Sequence, residues 1–232
     1  YGTAADFVCV PSRLAIPLAD TTSLEIGATI GIPALTAYAG LFKYSNLNGA
    51  TILITGGGGS VGNCAIQMAK YAGAHVISSV SGPEKMTAAL NAGADNVLRY
   101  DTPHFVEDVL DITAGRKLDL IFDVAFGHNI EANLNIIKEH GILSTYASDN
   151  KSIAEIPFQK FLQMNLSIYS VFMYLLEDKM MQDAVQFITN WQIDLGIKPF
   201  IAKQYHLSET ALAHQDLESG AIIGNIIIEC QD

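Results

Sequence analysis

At 232 residues, half of them hydrophobic and 16% charged, the chain can bury enough apolar surface to offset its conformational entropy, which excludes a disordered protein. The length fits one large domain, or one domain with part of another. Thirteen Lys and Arg against 24 Asp and Glu leave a formal net charge of −11, and no basic stripe interrupts it, so nucleic-acid backbones and anionic lipid are disfavoured partners.

In chain order, residues 5–10 alternate as a strand before Pro11. Thr51-Ile52-Leu53-Ile54-Thr55 is a short β-branched run ending at four glycines, the pattern of a buried parallel strand. From Ser60, the residues Val61, Cys64, Ala65, Met68 and Ala72 recur at helical spacing, with Gly73 as C-terminal cap. A second strand at 75–80 leads into a helix with Pro83 at its first position. Strands at 96–99, 118–124 and 141–145 alternate with helices at 105–113 and 130–138. A sixth strand at 166–172 precedes a helix at 179–191, with Met180, Ala184, Phe187, Ile188 and Trp191 on one face. This alternation predicts an α/β fold, a doubly wound six-stranded parallel sheet of Rossmann type. Residues 200–206, 208–218 and 225–229 form a β-α-β tail, expected to pack with the 5–10 strand outside the sheet.

Uncharged stretches at 26–42, 50–69 and 161–176 are broken by Gly, Pro, Ser, Asn or Gln, and none reads as a membrane span. Cys9, Cys64 and Cys230 are odd in number, far apart and without a CxxC pair. They predict neither a disulfide framework nor a cysteine metal site and make the cytoplasm the default location. Tyr1-Gly2-Thr3 opens without a charged-then-apolar leader and reads as internal sequence, so a fragment of a longer protein is expected.

The densest motif is Thr55-Gly56-Gly57-Gly58-Gly59-Ser60-Val61-Gly62, with GxGxxG as Gly57, Gly59 and Gly62 between a strand and a helix. One glycine permits the turn, Gly59 lets a pyrophosphate approach the backbone, and Gly62 lets helix and strand pack closely. The free N–H groups and positive dipole end of the helix then hold the anion. NAD sites usually carry Asp or Glu near the end of the second strand, but no acid occurs from Asn63 through Pro83. Ser78, Ser79 and Ser81 supply hydroxyls instead, and Lys85 stands where it meets a 2′-phosphate, which points to NADPH. Glu84 is adjacent and opposes that phosphate if it turns inward, and a solvated helix cation is the competing reading of Lys85.

These features, with Gly2-Thr3-Ala4-Ala5-Asp6-Phe7-Val8-Cys9-Val10-Pro11, Leu35-Thr36-Ala37-Tyr38, Gln67-Met68-Ala69-Lys70, Ala92-Gly93-Ala94-Asp95 and Leu217-Glu218-Ser219-Gly220, make the chain resemble the zinc-independent quinone oxidoreductases of the medium-chain dehydrogenase/reductase superfamily. The resemblance implies remnants of a GroES-like, β-rich catalytic domain at both ends. Residues 1–17 would end its N-terminal part, 18–195 would be the NADP-binding domain, and 196–232 would return to the catalytic domain. The apolar faces of Phe7, Val10, Ile201, Ile226 and Ile228 would then be partly uncovered. By resemblance, the pyrophosphate meets amides around Gly59, Ser60 and Val61, and the 2′-phosphate meets Ser81, Lys85 and Tyr100, with Ser81 replacing the family's common glycine. The nicotinamide end meets Thr36, Val124, Ala125, Tyr146 and the backbone near Phe172. Plain packing is the competing reading for Thr36 and Tyr146, and Ala125-Phe126-Gly127 departs from the family's usual Ser-Val-Gly-Gly.

A zinc-ligand cysteine of the related alcohol dehydrogenases is matched by Ile32, which cannot ligate zinc, so no metal is expected. The six histidines show no HExxH or close pair and read as surface or structural residues, and Cys64 reads as a packing residue. The implied reaction is hydride transfer from NADPH to a quinone or other electron-poor α,β-unsaturated carbonyl. The family's polar group for the developing oxyanion belongs to the N-terminal half, so no catalytic residue is assigned and this chain alone is expected to turn over little. The alternatives are an enoyl-thioester reductase and a noncatalytic NADPH-binding or structural protein. A homodimer through the uncharged edge at 166–174 is also expected.

Overall fold

A computed structural model describes the chain except for residues 1, 45, 149–152, 197, 221 and 231–232. The N-terminal residue of the 1–17 segment and four positions of the 196–232 segment therefore lie outside the described residues. Nineteen residues of α1 (Leu24–Phe42) precede the first βα unit, β1 (Thr51–Thr55) and α2 (Ser60–Tyr71). The alternation continues with β2 (His75–Val80), α3 (Pro83–Asn91), β3 (Asn96–Arg99), α4 (Phe105–Ile112), β4 (Leu118–Asp123), α5 (Phe126–Ile136) and β5 (Ile137–Thr145). Then follow α6 (Phe158–Met164), β6 (Ser167–Ser170) and α7 (Asp178–Leu195), and finally β7 (Ile201–His206), α8 (Thr210–Glu218) and β8 (Asn225–Glu229).

Strands β1 to β6 form one parallel sheet in the order β3-β2-β1-β4-β5-β6. Its apolar runs divide by strand periodicity between two cores. Ile52, Ile54, Val76, Leu120 and Phe122 face the side covered by α1, α2 and α7, whereas Leu53, Ile77, Ile121 and Leu143 face α4, α5 and α6. Both faces are buried, so the strands read as continuous β-branched and aliphatic runs. On the first side α1 approaches the sheet closely because Gly40 has no side chain. A Cβ there would lie 2.2 Å from the Phe122 ring. Burying a ring of that size contributes about 1.5–3 kcal/mol.

By length and composition α1 is apolar enough to cross a membrane, but Ile30, Ala34, Leu35, Ala37 and Leu41 are buried in this core. It is not legible as an amphipathic helix because it is apolar on nearly every side. The seven residues of α6 are too few to carry a helical period, and no helix is expected there from sequence.

Several boundaries differ from those expected. α5 ends at Ile136 and β5 begins at Ile137, in place of a helix to residue 138 and a strand from 141. Ile136 and Ile137 are both fully buried, and the chain leaves the helix to pair Ile137 with Leu118. The register then shifts across Lys138–Gly141, where His140 takes a positive φ of 61°. β6 is shorter than 166–172, because after Val171 donates to the Thr145 carbonyl the chain turns into a single 3-10 turn at Met173–Leu175.

The expected strand at 5–10 is absent. Those residues are exposed and pair with no strand among the described residues, with Phe7 93% accessible, so alternation alone had no ladder to join. The β-α-β tail is present as expected: β7 and β8 pair in parallel as a separate two-stranded sheet, and β8 lies against α1. Residues 5–10 do not join it. Ile201, Ile226 and Ile228 are only partly covered.

Candidate functional site

The strand order reverses between β1 and β4, and there, at the carboxyl ends of the strands, a cavity of about 650 Å³ opens. One wall is the glycine loop. Gly56 carries a positive φ of 72°, and the amides of Gly56 and Gly57 both donate to the Ser79 carbonyl at 2.9 and 3.2 Å, tying the loop to the end of β2. The tight turn thus belongs to Gly56, one residue before the GxGxxG motif. A Cβ on Gly62 would lie 2.2 Å from the Gly56 carbonyl oxygen, so the close helix–loop packing expected there is present. Gly59 is the N-cap of α2, in extended conformation, with no side-chain cap and no acidic residue in the first turn. The first amides of α2 therefore have no intrahelical acceptor, and Ser60 and Val61 line the cavity.

Farther out, Lys85 Nζ donates to Ser81 Oγ at 3.1 Å. A Cβ on Gly58 would come within 2.7 Å of Lys85 Cβ, so that glycine lets the loop pass beneath α3. Tyr100, half exposed, closes this end.

The other wall rests on a buried carboxylate. Asp123 accepts from Thr55 Oγ1 (3.0 Å), the Ala125 amide (2.8 Å), Asn129 Nδ2 (2.9 Å) and Asn133 Nδ2 (2.6 Å), while the Val124 amide donates to Thr55 Oγ1 at 2.8 Å. Thr145 Oγ1 lies 2.9 Å from the Asp123 carbonyl oxygen, and the ends of β1, β4 and β5 are thereby locked to the start of α5. Tyr146 packs on Phe122 with ring centroids 4.9 Å apart. Burial first, then the Asp123 charge, pushes its phenol up, so it remains a protonated hydrogen-bond donor at neutral pH.

Of the residues singled out from sequence, Gly59, Ser60, Val61, Ser79, Ser81, Lys85, Tyr100, Val124, Ala125 and Tyr146 line this cavity. Five do not. Ser78 is buried, its hydroxyl donating to the Ile54 carbonyl at 2.9 Å. Gly57 lies behind the wall, where a Cβ would meet Ser78 Oγ at 2.1 Å, and Gly62 lies beneath Gly56. Thr36 is on the buried face of α1, and Phe172 is 61% exposed, its ring against Tyr174. Sequence reading missed Thr55, Gly56, Gly58, His128 and Asn129 in the lining and Asp123 with Asn133 beneath it. Asn129 and Asn133 are four apart in a helix that follows an acid-terminated strand, and that spacing is the signal that would have found the cluster.

Cys64 is buried, and burial pushes its thiol up to about 12, which makes it an unreactive packing residue. Among the described residues no three His, Cys, Asp or Glu side chains come together as a metal site, and Ile32 is half exposed on α1.

A doubly wound sheet with a glycine-rich turn entering an uncapped helix defines a dinucleotide-binding fold, and comparison with known proteins places it further. The chain belongs to the zinc-binding dehydrogenase family, which matches residues 60–190. It is 25% identical over 236 residues to a probable quinone oxidoreductase of Schizosaccharomyces pombe, covering 100% of this chain and 71% of that protein. A highly reducing polyketide synthase of Arthrinium phaeospermum is 30% identical over 146 residues, covering 61% of this chain and 6% of that protein. The quinone oxidoreductase of Thermus thermophilus, solved also in complex with NADPH, superposes with a TM-score of 0.86 at 25% identity, covering 98% of this chain and 74% of that one.

Proposed function

We propose that this chain is the NADPH-binding part of a zinc-independent oxidoreductase that reduces a quinone or another electron-poor α,β-unsaturated carbonyl. The observation that carries the reading is the cleft itself: uncapped α2 amides behind Gly59 at its centre and the Lys85–Ser81 pair at its end, with no acid at the close of β2. At Gly59 a Cβ would meet only the Gly56 carbonyl oxygen, at 3.4 Å, and the bare backbone there fits a diphosphate lying on it. The Thermus relative and its NADPH complex support the same cofactor. Bound NADPH supplies the hydride. The chain's own part is to hold the diphosphate on α2 and the 2′-phosphate on Lys85, Ser81 and Tyr100, and to shape the acceptor end with Val124, Ala125 and the phenol of Tyr146.

Within this reading, 18–195 is the cofactor domain, and the partly covered β7–β8 sheet with the exposed Phe7 and Val10 belongs to the edge of a catalytic domain. The similarity to a highly reducing polyketide synthase supports a second reading, enoyl-thioester reduction on the same cofactor site.

Titration with NADPH and NADH, followed by nicotinamide fluorescence, is expected to show tighter binding of NADPH. Failure to bind either rejects the proposal. With the catalytic segments restored, faster turnover of a benzoquinone than of a crotonyl thioester selects the first acceptor class, and the reverse selects the second.

The same proposal includes a homodimer through β6. This edge strand presents Ile168, 41% exposed, and continues into exposed Phe172, Tyr174 and Leu175, a surface that aggregates unless paired. Light scattering is expected to return twice the chain mass of 25.0 kDa, and a monomeric mass removes this element of the proposal.

A further inference from the structure

We infer that the gap between α1, α7 and residues 14–18 is a second small-molecule site, which takes an uncharged carbonyl compound and holds its oxygen on the side-chain amide of Gln192. The inference stands apart from the cofactor reading, because this gap shares no lining residue with the dinucleotide cleft.

The gap follows from where small residues fall. By helical spacing Gly27, Ile30, Gly31 and Leu35 share one face of α1, and Val185, Ile188 and Gln192 share one face of α7. The two helices pack together, and the glycines leave part of the α1 face bare. At Gly27 that space is used: a Cβ would lie 2.4 Å from Leu18 Cδ1, so the leucine lays the 14–18 segment across α1. At Gly31 it is open, since a Cβ there would meet no atom within 4 Å. What remains is a cavity of about 220 Å³. A dry apolar cavity of about 150 Å³ admits benzene, so this one has room for a ring with a short substituent.

Its chemistry is set by one group. The other lining residues are apolar or glycine, so a charged ligand would lose its water without gaining a partner. Gln192 is only 3% exposed. Its Oε1 accepts from Thr22 Oγ1 at 2.8 Å and from the Ala19 amide at 3.5 Å. The Ala19 N–H can only donate, which fixes the oxygen on that side and leaves the two Nε2 protons for another acceptor. Among the described residues Nε2 has none. Leaving a buried donor unmade costs stability, and a ligand carbonyl would satisfy it. A water fits less well, because it needs about two to four polar partners and the lining side chains offer one.

The test titrates the chain, its Ile, Leu and Val methyls labelled for NMR, with acetophenone and with cumene, which has the same shape but a methyl in place of the oxygen. Acetophenone is expected to bind with a dissociation constant on the order of 1 mM. It should shift the methyls of Leu18, Ile30, Leu35, Val185 and Ile188 and leave those of Val61 and Val124 in the cleft unmoved. Gln192→Met removes the amide at similar volume. The affinity for acetophenone relative to cumene should then fall about two- to tenfold, the worth of one neutral hydrogen bond, and this ratio is insensitive to a general loosening of the site. Gly31→Leu puts a side chain into the open space and should abolish binding of both compounds. Its melting temperature should not fall, because leucine is the better helix former. Absence of binding in the parent, shifts at the cleft methyls instead, an unchanged ratio in Gln192→Met, or undiminished binding in Gly31→Leu each overturns the assignment.

Discussion

Replacing Gly62 with valine is expected to cost at least about tenfold in NADPH affinity, equivalent to about 1.4 kcal/mol, and to lower the melting temperature as well. The Cβ alone would sit 2.2 Å from the Gly56 carbonyl oxygen, 2.7 Å from its carbon and 3.0 Å from Gly57 Cα, all backbone atoms with no rotamer to yield. Overpacking of this kind costs about 1–3 kcal/mol, and at this chain length that is about 2–12 °C. The loop must move away from α2, and the amides of Ser60 and Val61 then lose their common aim. Gly59→Ala separates the two effects. Its Cβ would meet only the Gly56 carbonyl oxygen, at 3.4 Å, and its backbone is extended at φ −89°, so the free protein should keep its melting temperature. The same methyl stands where the diphosphate must approach the backbone, so affinity should still fall. Thermal denaturation with fluorescence titration of both variants checks this. Gly62→Val binding NADPH as the parent does would mean that the loop is not the anion site.

This contrast shows how far the sequence carries. The order of strands and helices was legible because each strand of the sheet is short, apolar and bounded by turn residues. The glycine motif was legible because its position between strand and helix has one physical use. What escaped was whatever depends on contacts between distant segments. No local pattern says that residues 5–10 lack a partner strand, or that Ile137 leaves α5 to pair with Leu118. The role of Gly56 as the turn residue could not be separated from that of its three glycine neighbours until its φ of 72° was seen. The Asp123 cluster draws on β1, β4 and α5, and His128 enters the cleft only because α5 starts where it does. Residues matched by resemblance divide the same way. At the nicotinamide end Val124, Ala125 and Tyr146, which follow the central strands β4 and β5, line the cleft, whereas Thr36 on α1 and Phe172 beyond the edge strand β6 do not.

Lys85→Ala is expected to bring NADPH affinity down to that of NADH while leaving NADH binding unchanged. A charge-assisted hydrogen bond to the 2′-phosphate contributes about 1.5–3 kcal/mol, roughly ten- to over a hundredfold in affinity. Lys85 is only partly buried, and solvent screening places the expected loss near the lower end, about tenfold. Its ammonium is already held at the mouth of the cleft by Ser81 Oγ, 3.1 Å away, so little ordering is needed when the phosphate arrives. Ser81→Ala should therefore cost less than Lys85→Ala, because it removes a neutral contact and frees a cation that can still reach the ligand. Arg99 precedes Tyr100, lies outside the cavity lining, and pairs through Nε and Nη2 with Asp101 at 3.0 and 2.6 Å. Breaking that pair with Asp101→Asn should free the guanidinium and restore part of the NADPH preference in the Lys85→Ala background. Measuring the ratio of NADPH to NADH dissociation constants across these variants decides the matter. An equal loss for both cofactors in Lys85→Ala would assign the lysine to the shared part of the dinucleotide, and the discrimination between the two would then have to come from Tyr100 and the serine hydroxyls.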